Sequence, residues 1–332
     1  MDWHIKDKSL FDLRQKVYQM FILGTDGGGY KTALEDGLGG VIFFTKDIQT
    51  PEQFAALIEK IKNTAIIPPF LSIDQEGGRV ERTENIHGGK KYLSAKYAFE
   101  KGLGFLEQQT SEIAKELLGY GINLNFAPCI DVNTNPDNPI IGERAFSSKV
   151  DDVIRAEKIV SATYMKNGII PCVKHFPGHG DADADSHLTL PMINLSLEEM
   201  EMVHIKPFKS AIENGAKMVM VAHLHCSCFD TEEIPTSLSK NAINYLTQNL
   251  GFEGVIITDD MIMKGVENFG QLEACVMAIK AGVNMFIYRN SGVDVINIIE
   301  RVCELAKDDE ALKLNIEKSY KKICRLKEFQ FG

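Results

Sequence analysis

Eight short apolar runs, distributed along the whole chain and separated by amphipathic segments, constrain the fold more than any other feature of this sequence. Each run is rich in β-branched or aromatic residues and apolar on both faces, as a parallel strand covered by helices requires. The runs cover residues 19–24, 39–44, 70–75, 123–128, 169–176, 218–223, 255–260 and 284–289. Strands that alternate with helices in this way predict an α/β protein with a (β/α)₈ TIM-barrel fold.

Two of the intervening segments carry helix-capping signals. In TPEQFAALIEKIKNTA, Thr50 is expected as the N-cap, Pro51 at the first helical position and Gln53 as the second half of a capping box. In LSKNAINYLTQNLG, Ser239 is expected to begin a helix that Gly251 ends. These caps support the alternation of strands and helices.

An open, doubly wound sheet is the structural alternative, because it also alternates strands with helices. Such a sheet would show a glycine-rich turn that leads from an early strand straight into a helix, and GTDGGGYKTALEDG matches that pattern poorly. No internal repeat, low-complexity tract or Pro/Ser-rich linker marks a domain boundary. We therefore expect residues 1–332 to form a single domain.

The acidic balance of the chain limits its partners. Its formal net charge is −10, whereas binding to a nucleic-acid backbone needs clustered Lys and Arg. The N-terminal residues carry charge throughout and lack an apolar signal core. No run of about 18 apolar residues occurs. We therefore expect a cytoplasmic protein with no nucleic-acid partner and no membrane partner.

The seven cysteines are scattered and odd in number, which is typical of reduced core residues. Cys226 and Cys228 form a C-x-C pattern, but no second cysteine pair accompanies it. Because cysteine-based zinc sites normally draw on such a second pair, we expect no metal there.

Polar side chains cluster where the predicted strands end. In TIM barrels the loops at the carboxyl ends of the strands build the active site, so these side chains are expected to lie together. The residues concerned are Asp74, Glu76, Arg79, Arg82, Asp131, Lys174, His175, His223, His225, Asp259 and Asp260.

The stretch KHFPGHGDADADSH follows the fifth predicted strand and is the densest group of titratable residues. His175 and His179 have the spacing of a helical metal pair, but Pro177 between them makes a continuous helix improbable and favours a glycine-punctuated loop. Asp185 lies two residues before His187, so an extended backbone would place both on one side as a proton-transfer dyad. A surface pair without a role is the alternative reading of these two residues.

Four motifs resemble those of the glycoside hydrolase family 3 β-N-acetylglucosaminidases of the NagZ type. They are DQEGGRVER at 74–82, GERAFS at 142–147, KHFPGHG followed by DSH within 174–187, and GVIITDDMIMKG at 254–265. Four motifs in the same order are more specific than any one of them. The resemblance implies that residues 1–332 form a single TIM-barrel catalytic domain of the family 3 N-terminal type.

The resemblance also assigns the catalytic residues. In that family the aspartate directly after IIT is the nucleophile, and the match falls on Asp259. A carboxylate at a strand end can attack the anomeric carbon and form a covalent glycosyl-enzyme. The acid/base is then His187 assisted by Asp185. Strand alternation directs Asp260 to the opposite side, where it is expected to cap the next helix.

The remaining motif residues are implied to bind the sugar in the −1 subsite. Asp74 would accept hydrogen bonds from two sugar hydroxyls, and the other four would donate. These substrate-binding residues are Asp74, Arg82, Arg144, Lys174 and His175.

Other polar residues near the motifs have less specific expectations. Glu76 and Arg79 are expected to form supporting ion pairs, whereas Asp131 and His223 are expected either to line the pocket or to play a structural role. The acidic residues without an expected role are Asp181 and Asp183.

The implied reaction is removal of terminal β-linked N-acetylglucosamine from muropeptides, as in family members that recycle cell wall in the cytoplasm. It needs no cofactor and no metal. Because an imidazole base is uncharged after the first step, phosphate is expected to compete with water as the acceptor. The aglycone stays open between anhydro-muramyl peptides, GlcNAc–MurNAc and chitin fragments, and a monomer is expected.

Two alternatives use the same residues differently. A metal-dependent amidohydrolase would bind its ion through HLH at 223–225 together with Lys174, His175 and Asp259. That superfamily opens with H-x-H on its first strand, whereas here the motif lies on the sixth. A noncatalytic sugar-binding barrel would require neither a nucleophile nor a proton donor.

Overall fold

The parallel barrel predicted from the apolar runs is present in the computed structural model, which describes residues 11–182 and 190–332. Eight strands close it in the order β1, β10, β9, β7, β5, β4, β3, β2. They are β1 (Phe21–Asp26), β2 (Gly40–Phe43), β3 (Phe70–Ile73), β4 (Leu124–Asn125), β5 (Ile170–Phe176), β7 (Met218–Val221), β9 (Val255–Asp260) and β10 (Met285–Asn290). The TIM-barrel prediction is thus confirmed, and each of these strands overlaps one of the eight runs.

Helices connect successive barrel strands and cover the outer face of the barrel. Those of the described chain are α1 (Leu13–Tyr18), α2 (Tyr30–Glu35), α3 (Pro51–Thr64), α4 (Ala95–Glu100), α5 (Leu103–Gly119), α6 (Val150–Lys166), α7 (Leu197–Met202), α8 (Lys206–Glu213), α9 (Lys240–Asn244), α10 (Lys264–Glu267), α11 (Gln271–Ala281), α12 (Val293–Asp308) and α13 (Glu310–Phe331). In the described segments no helix is both long and apolar enough to cross a membrane.

The strands are apolar on both faces because one face packs against these helices and the other fills the barrel interior. All residues of β5 are buried, including the polar Lys174 and His175 at its carboxyl end. The cysteines also fit the expectation, since all seven are free and only Cys228 is not fully buried. The core therefore consists of the barrel interior and the layer between barrel and helices.

The predicted helix caps are largely confirmed. The Thr50 hydroxyl accepts a hydrogen bond from the Gln53 amide at 3.2 Å. The reciprocal bond of the predicted capping box, from the Thr50 amide to the Gln53 side chain, does not form, and that part of the prediction is wrong. The Gln53 side chain accepts from the amide of Gln49 at 3.0 Å instead of that of Thr50, because it reaches past the N-cap to the preceding residue. Ser239 caps α9 by accepting from the Ala242 amide at 3.0 Å.

A two-stranded parallel sheet outside the barrel was not predicted. It pairs β6 (Met192–Ile193) with β8 (His225–Cys226). It joins the chain after β5 to the chain after β7, at the carboxyl end of the barrel. The predictions for Asp183, Asp185 and His187 lie outside the described residues.

Candidate active site

A cavity of about 270 Å³ opens at the carboxyl ends of the barrel strands. It brings together residues from β5 and β9 and from the segments that follow β3 and β4, as the strand-end rule predicts. The sequence-predicted site residues that line it are Asp74, Arg82, Arg144, Lys174, His175, Asp259 and Asp260.

A buried ion network forms one wall of this cavity. The ammonium group of Lys174 lies 2.7 Å from Asp74 Oδ1 and 2.6 Å from Glu76 Oε1. Arg144 donates to both oxygens of Glu76, at 2.9 and 2.8 Å. Burial alone would raise the pKa of Glu76, but the adjacent Arg144 and Lys174 outweigh it and hold this pKa well below its usual value. Glu76 is therefore an anion that positions two cations at the cavity.

Arg79 does not join this network. Its guanidinium instead donates to backbone carbonyl oxygens, among them that of Pro139 at 3.1 Å. The side chain thus ties the loop after β3 to the segment that precedes Arg144, and the expected ion pair of Arg79 is wrong. Glu76, the neighbouring carboxylate, is already bound by Arg144 and Lys174.

Asp131 is the centre of a second buried cluster. Its Oδ2 lies 2.7 Å from Nδ1 of His175 and accepts from the Cys129 thiol at 3.1 Å, while its Oδ1 accepts from the His179 amide at 2.6 Å. Burial would raise the pKa of Asp131, but His175 outweighs this effect and the pKa is held well below its usual value. Asp131 has a structural role in holding the chain at the end of β5, one of its two expected roles.

The same contacts determine which nitrogen of His175 carries the hydrogen in the neutral ring. Arg144 Nη2 lies 3.4 Å from Nε2 of His175, and a guanidinium can only donate. Nε2 is therefore the acceptor, and Nδ1 carries the hydrogen that is donated to Asp131. The arrangement fixes the imidazole at the cavity wall. In this neutral form His175 has no N–H left for the sugar, contrary to the donor role expected of it, because its one N–H is given to Asp131.

Cys129, Asp131 and His175 also lie close enough together to be considered as metal ligands, with ligand atoms within 4.8 Å of one another. Burial and the neighbouring Asp131, however, raise the pKa of the Cys129 thiol well above its usual value. The thiol is used as a hydrogen-bond donor, and Arg144 adds a positive charge beside it. The donor set fits a hydrogen-bonded cluster better than a cation site.

Asp259 lies at the end of β9, where the resemblance places the nucleophile. Its Oδ1 accepts from the Asp260 amide at 2.7 Å. Burial would raise the pKa of Asp259, but His175 and then His223 outweigh it, so that the pKa lies below its usual value. The carboxyl group is therefore ionised at neutral pH and lines the cavity as a carboxylate.

Asp260 lines the cavity as well, but its oxygens are occupied. Oδ1 accepts from the amides of Ile262 and Arg289, both at 3.2 Å, and Oδ2 lies 3.1 Å from Nε of Arg289. Burial raises the pKa of this carboxyl group to about 6. The expectation that Asp260 lies on the opposite side from Asp259 and caps the next helix is therefore wrong. It lines the same cavity, and α10 follows Met263 without a side-chain cap, because the Asp260 oxygens are taken by Arg289 and by the Ile262 amide.

The two histidines of the H-x-H pattern make contacts with different parts of the chain. His223 is buried with Nδ1 2.7 Å from the Ser237 hydroxyl, whereas His225 belongs to β8 and its Nδ1 lies 3.3 Å from the carbonyl oxygen of Ile234. Within residues 11–182 and 190–332, neither belongs to a group of three possible metal ligands. The pattern does not build the centre that an amidohydrolase would need.

Two cavity residues were missed by the sequence reasoning. His179 was considered only as a metal ligand, yet its buried ring lines the cavity, and burial lowers its pKa to about 4. Among residues 11–182 and 190–332, neither ring nitrogen has a hydrogen-bond partner. Arg289 lies near the end of β10, as Asp259 lies near the end of β9. The strand-end rule could therefore have predicted Arg289 as a cavity residue. With its pKa lowered to about 4, the His179 ring is neutral at neutral pH.

Barrel and cavity together define the class of protein. An ionised carboxylate, paired cations and two imidazole rings converge at the carboxyl end of a TIM barrel, which is where enzymes of this fold bind and transform substrates. The model of the Glycosyl hydrolase family 3 N terminal domain matches residues 12–326. The chain belongs to glycosyl hydrolase family 3 and is a glycoside hydrolase.

Individual relatives agree with this assignment. A Beta-hexosaminidase of Tolumonas auensis is 31% identical over 269 residues, which cover 79% of this chain and 79% of that protein. Beta-hexosaminidase A of Pseudoalteromonas piscicida is 31% identical over 314 residues, or 87% of this chain, and the chain covers 52% of that protein's length. A family 3 β-N-acetylglucosaminidase structure from Paenibacillus sp. has a TM-score of 0.88 and 31% identity, covering 96% of this chain and 63% of that one.

Proposed function

We propose that this protein is a retaining exo-β-N-acetylglucosaminidase, with residues 1–332 acting as one catalytic domain. The observation that carries the proposal is the ionised Asp259 carboxylate in a polar cavity at the carboxyl end of the barrel. A carboxylate in that position can attack the anomeric carbon and trap the sugar as a covalent glycosyl-enzyme. The β-hexosaminidase relatives support the choice of sugar.

The neighbouring groups supply what the glycosylation step requires. Lys174 and Arg144 place positive charge beside a cavity that must hold the sugar hydroxyls, while Asp74 offers oxygens that accept hydrogen bonds. His175 lines the cavity with its ring held between Asp131 and Arg144. Arg82 contributes a further guanidinium at the cavity wall. These five residues are proposed as the −1 subsite.

A second proton-transfer group must act on the opposite face of the glycosidic bond. We assign this role to His187 with Asp185, which lie in the segment between β5 and β6. As imidazolium, His187 donates a proton to the leaving oxygen, and as neutral imidazole it then activates the acceptor. The assignment depends on the DSH motif and the family resemblance.

The proposed substrate class is a muropeptide with terminal β-linked N-acetylglucosamine, processed in the cytoplasm by a monomer. Because the base is uncharged when the acceptor arrives, phosphate meets less repulsion than it would beside a second carboxylate. Incubation with an aryl glycoside and phosphate should therefore release some N-acetylglucosamine 1-phosphate. A product that consists of free sugar alone would remove phosphate as an acceptor.

The central experiment compares 4-nitrophenyl β-glycosides of N-acetylglucosamine and glucose, followed by analysis of the anomer first released. The proposal predicts preference for the N-acetylglucosaminide and release of the β-anomer. An activated 5-fluoro N-acetylglucosaminide, which keeps the 2-acetamido group, should label Asp259, detectable by peptide mass spectrometry. Release of the α-anomer, or labelling of a different carboxylate, would contradict the proposal.

A further inference from the structure

Arg289 stands apart from the other cations of the active-site cavity because half of its side chain is exposed. The exposed fraction is 48% for Arg289, against 2% for Lys174. Both residues line the same cavity. Lys174 therefore belongs to the closed floor of the cavity, whereas Arg289 lies at its mouth.

The guanidinium of Arg289 is held by Asp260 through only one of its three nitrogens. Its Nε contacts Asp260 Oδ2 at 3.1 Å, and its backbone amide donates to Oδ1 of the same carboxylate. Within the part of the chain that the structure describes, its two terminal nitrogens make no hydrogen bond. Asp260 thus holds one edge of the planar group and leaves the fork of terminal donors free.

Two of the other cations of the cavity are differently engaged, while Arg82 lies over the ring of Phe44, 5.7 Å from its centroid. Lys174 contacts both Asp74 and Glu76, and Arg144 contacts Glu76 with two nitrogens. Their charges are largely neutralised by buried carboxylates. Arg289 shares a single carboxylate through one nitrogen, which leaves it able to bind a second anion in the bidentate geometry that guanidinium groups favour.

The direction of the leaving group connects Arg289 to substrate choice. The sugar that is transferred must place its anomeric carbon at Asp259, inside the cavity, so the leaving group extends from there towards solvent and passes the mouth. From this geometry we infer that Arg289 is a specificity-determining residue that binds a carboxylate carried by the leaving group. The inference rests on the proposed glycosidase function and adds to it an anionic leaving-group site.

The test compares two aryl β-N-acetylglucosaminides that differ only in charge, the 4-carboxyphenyl and the 4-carbamoylphenyl glycosides, in phosphate-free buffer. For Arg289→Gln we expect the ratio of their kcat/KM values, carboxylate over carboxamide, to fall roughly 10- to 100-fold, the loss expected when a hydrogen bond to a charged group is removed. The fall should lie mainly in KM. Because loss of the contact to Asp260 affects both substrates, the ratio cancels effects on the nucleophile.

Two further variants complete the experiment. Arg289→Lys retains the charge but not the fork, and should retain part of the preference for the carboxylate. Arg301→Gln removes an exposed arginine on α12, outside the cavity, and should leave the ratio unchanged. High salt should weaken the wild-type preference more than that of Arg289→Gln.

The outcomes separate the two proposals. If the wild-type enzyme hydrolyses both glycosides but Arg289→Gln leaves their ratio unchanged, the anionic leaving-group site is refuted and the glycosidase function stands. If the wild-type enzyme hydrolyses neither, nor the 4-nitrophenyl glycoside, the glycosidase function itself is refuted.

Discussion

Asp131 Oδ2 lies 2.7 Å from His175 Nδ1, with the acid completely buried and the imidazole almost so. The same carboxylate accepts from the amides of His175 and His179. One side chain therefore orients an imidazole of the cavity and holds the loop that follows β5. Substrate contact by His175 depends on this hidden partner.

Asp131→Asn should weaken both stability and substrate binding. An amide has one acceptor oxygen and presents donors where the carboxylate accepts, so at least one buried N–H loses its partner, at a cost of about 1–3 kcal/mol in the free energy of unfolding. We expect a higher KM together with a lower urea midpoint. Asp181→Asn, which alters a more exposed carboxylate bonded to Thr134, is the control. Equal behaviour of the two variants would refute the special role of Asp131.

The pKa of Glu76 predicts a pH-dependent contribution to stability. Because folding lowers this pKa from its ordinary value of 4.5, the contribution is present above about pH 4.5 and is lost as the pH falls towards the folded-state value. Glu76→Gln should cost about 3–5 kcal/mol at pH 7, since it leaves two buried cations underneutralised. It should also lose less stability than the wild type between pH 6 and pH 3.

Chemical denaturation at several pH values measures both effects. Glu304→Gln is the matched control, because Glu304 forms an exposed pair with Lys307 whose loss should cost at most about 1 kcal/mol. If Glu76→Gln and the wild type lost equal stability on acidification, the ion network would not be the source of the pH dependence.

Asp259→Ala should abolish turnover while largely sparing affinity. Without the nucleophile the covalent intermediate cannot form, and we expect kcat to fall by at least about a thousandfold. Binding of the sugar depends on other residues and should stay within about tenfold, or about 1.4 kcal/mol. Steady-state kinetics and equilibrium binding measure the two effects. Asp294→Ala, at an exposed position of α12, is the control; a variant at 259 with unchanged kcat would exclude the assigned role.

His187→Ala should impair catalysis in a way that depends on the leaving group. Loss of a general acid typically costs about 10²- to 10⁴-fold, and the loss is largest when the departing oxygen needs protonation. Glycosides with basic leaving groups should therefore lose more activity than the 4-nitrophenyl glycoside. Asp183→Asn changes a neighbouring carboxylate with no proposed role and should leave the pattern unaltered. A uniform loss for all leaving groups would argue that His187 does not donate the proton.

Exhaustive chelation should leave hydrolysis of the aryl glycosides unchanged. The proposed steps use carboxylate and imidazole chemistry alone, whereas an amidohydrolase would lose activity with its ion. Activity before and after EDTA treatment, and after zinc is added back, provides the measurement. Activity lost on chelation and restored by zinc would revive the metal-dependent alternative.

Much of the architecture was readable from local patterns. Apolar runs of strand length and capped amphipathic segments depend mainly on neighbours in the chain, so the barrel strands and the Thr50 and Ser239 caps could be predicted. The strand-end rule likewise predicted that Asp74 and Asp259 lie at one cavity, as they do. The four sequence motifs predicted membership of glycosyl hydrolase family 3, which the family model confirms.

What the sequence determined by itself was therefore the set of strands and helices and the end of the barrel at which chemistry occurs. The tertiary structure decided the partners: Lys174 meets Asp74 across 100 positions of the chain, and Arg144 meets Glu76 across 68. It also decided that Arg79 binds carbonyls and that Asp260 orients Arg289. A hydrogen bond or ion pair forms or fails on a change of a few tenths of an ångström in the distance between its two atoms. These atoms lie on segments remote in sequence, and only the closed barrel sets the distance between them.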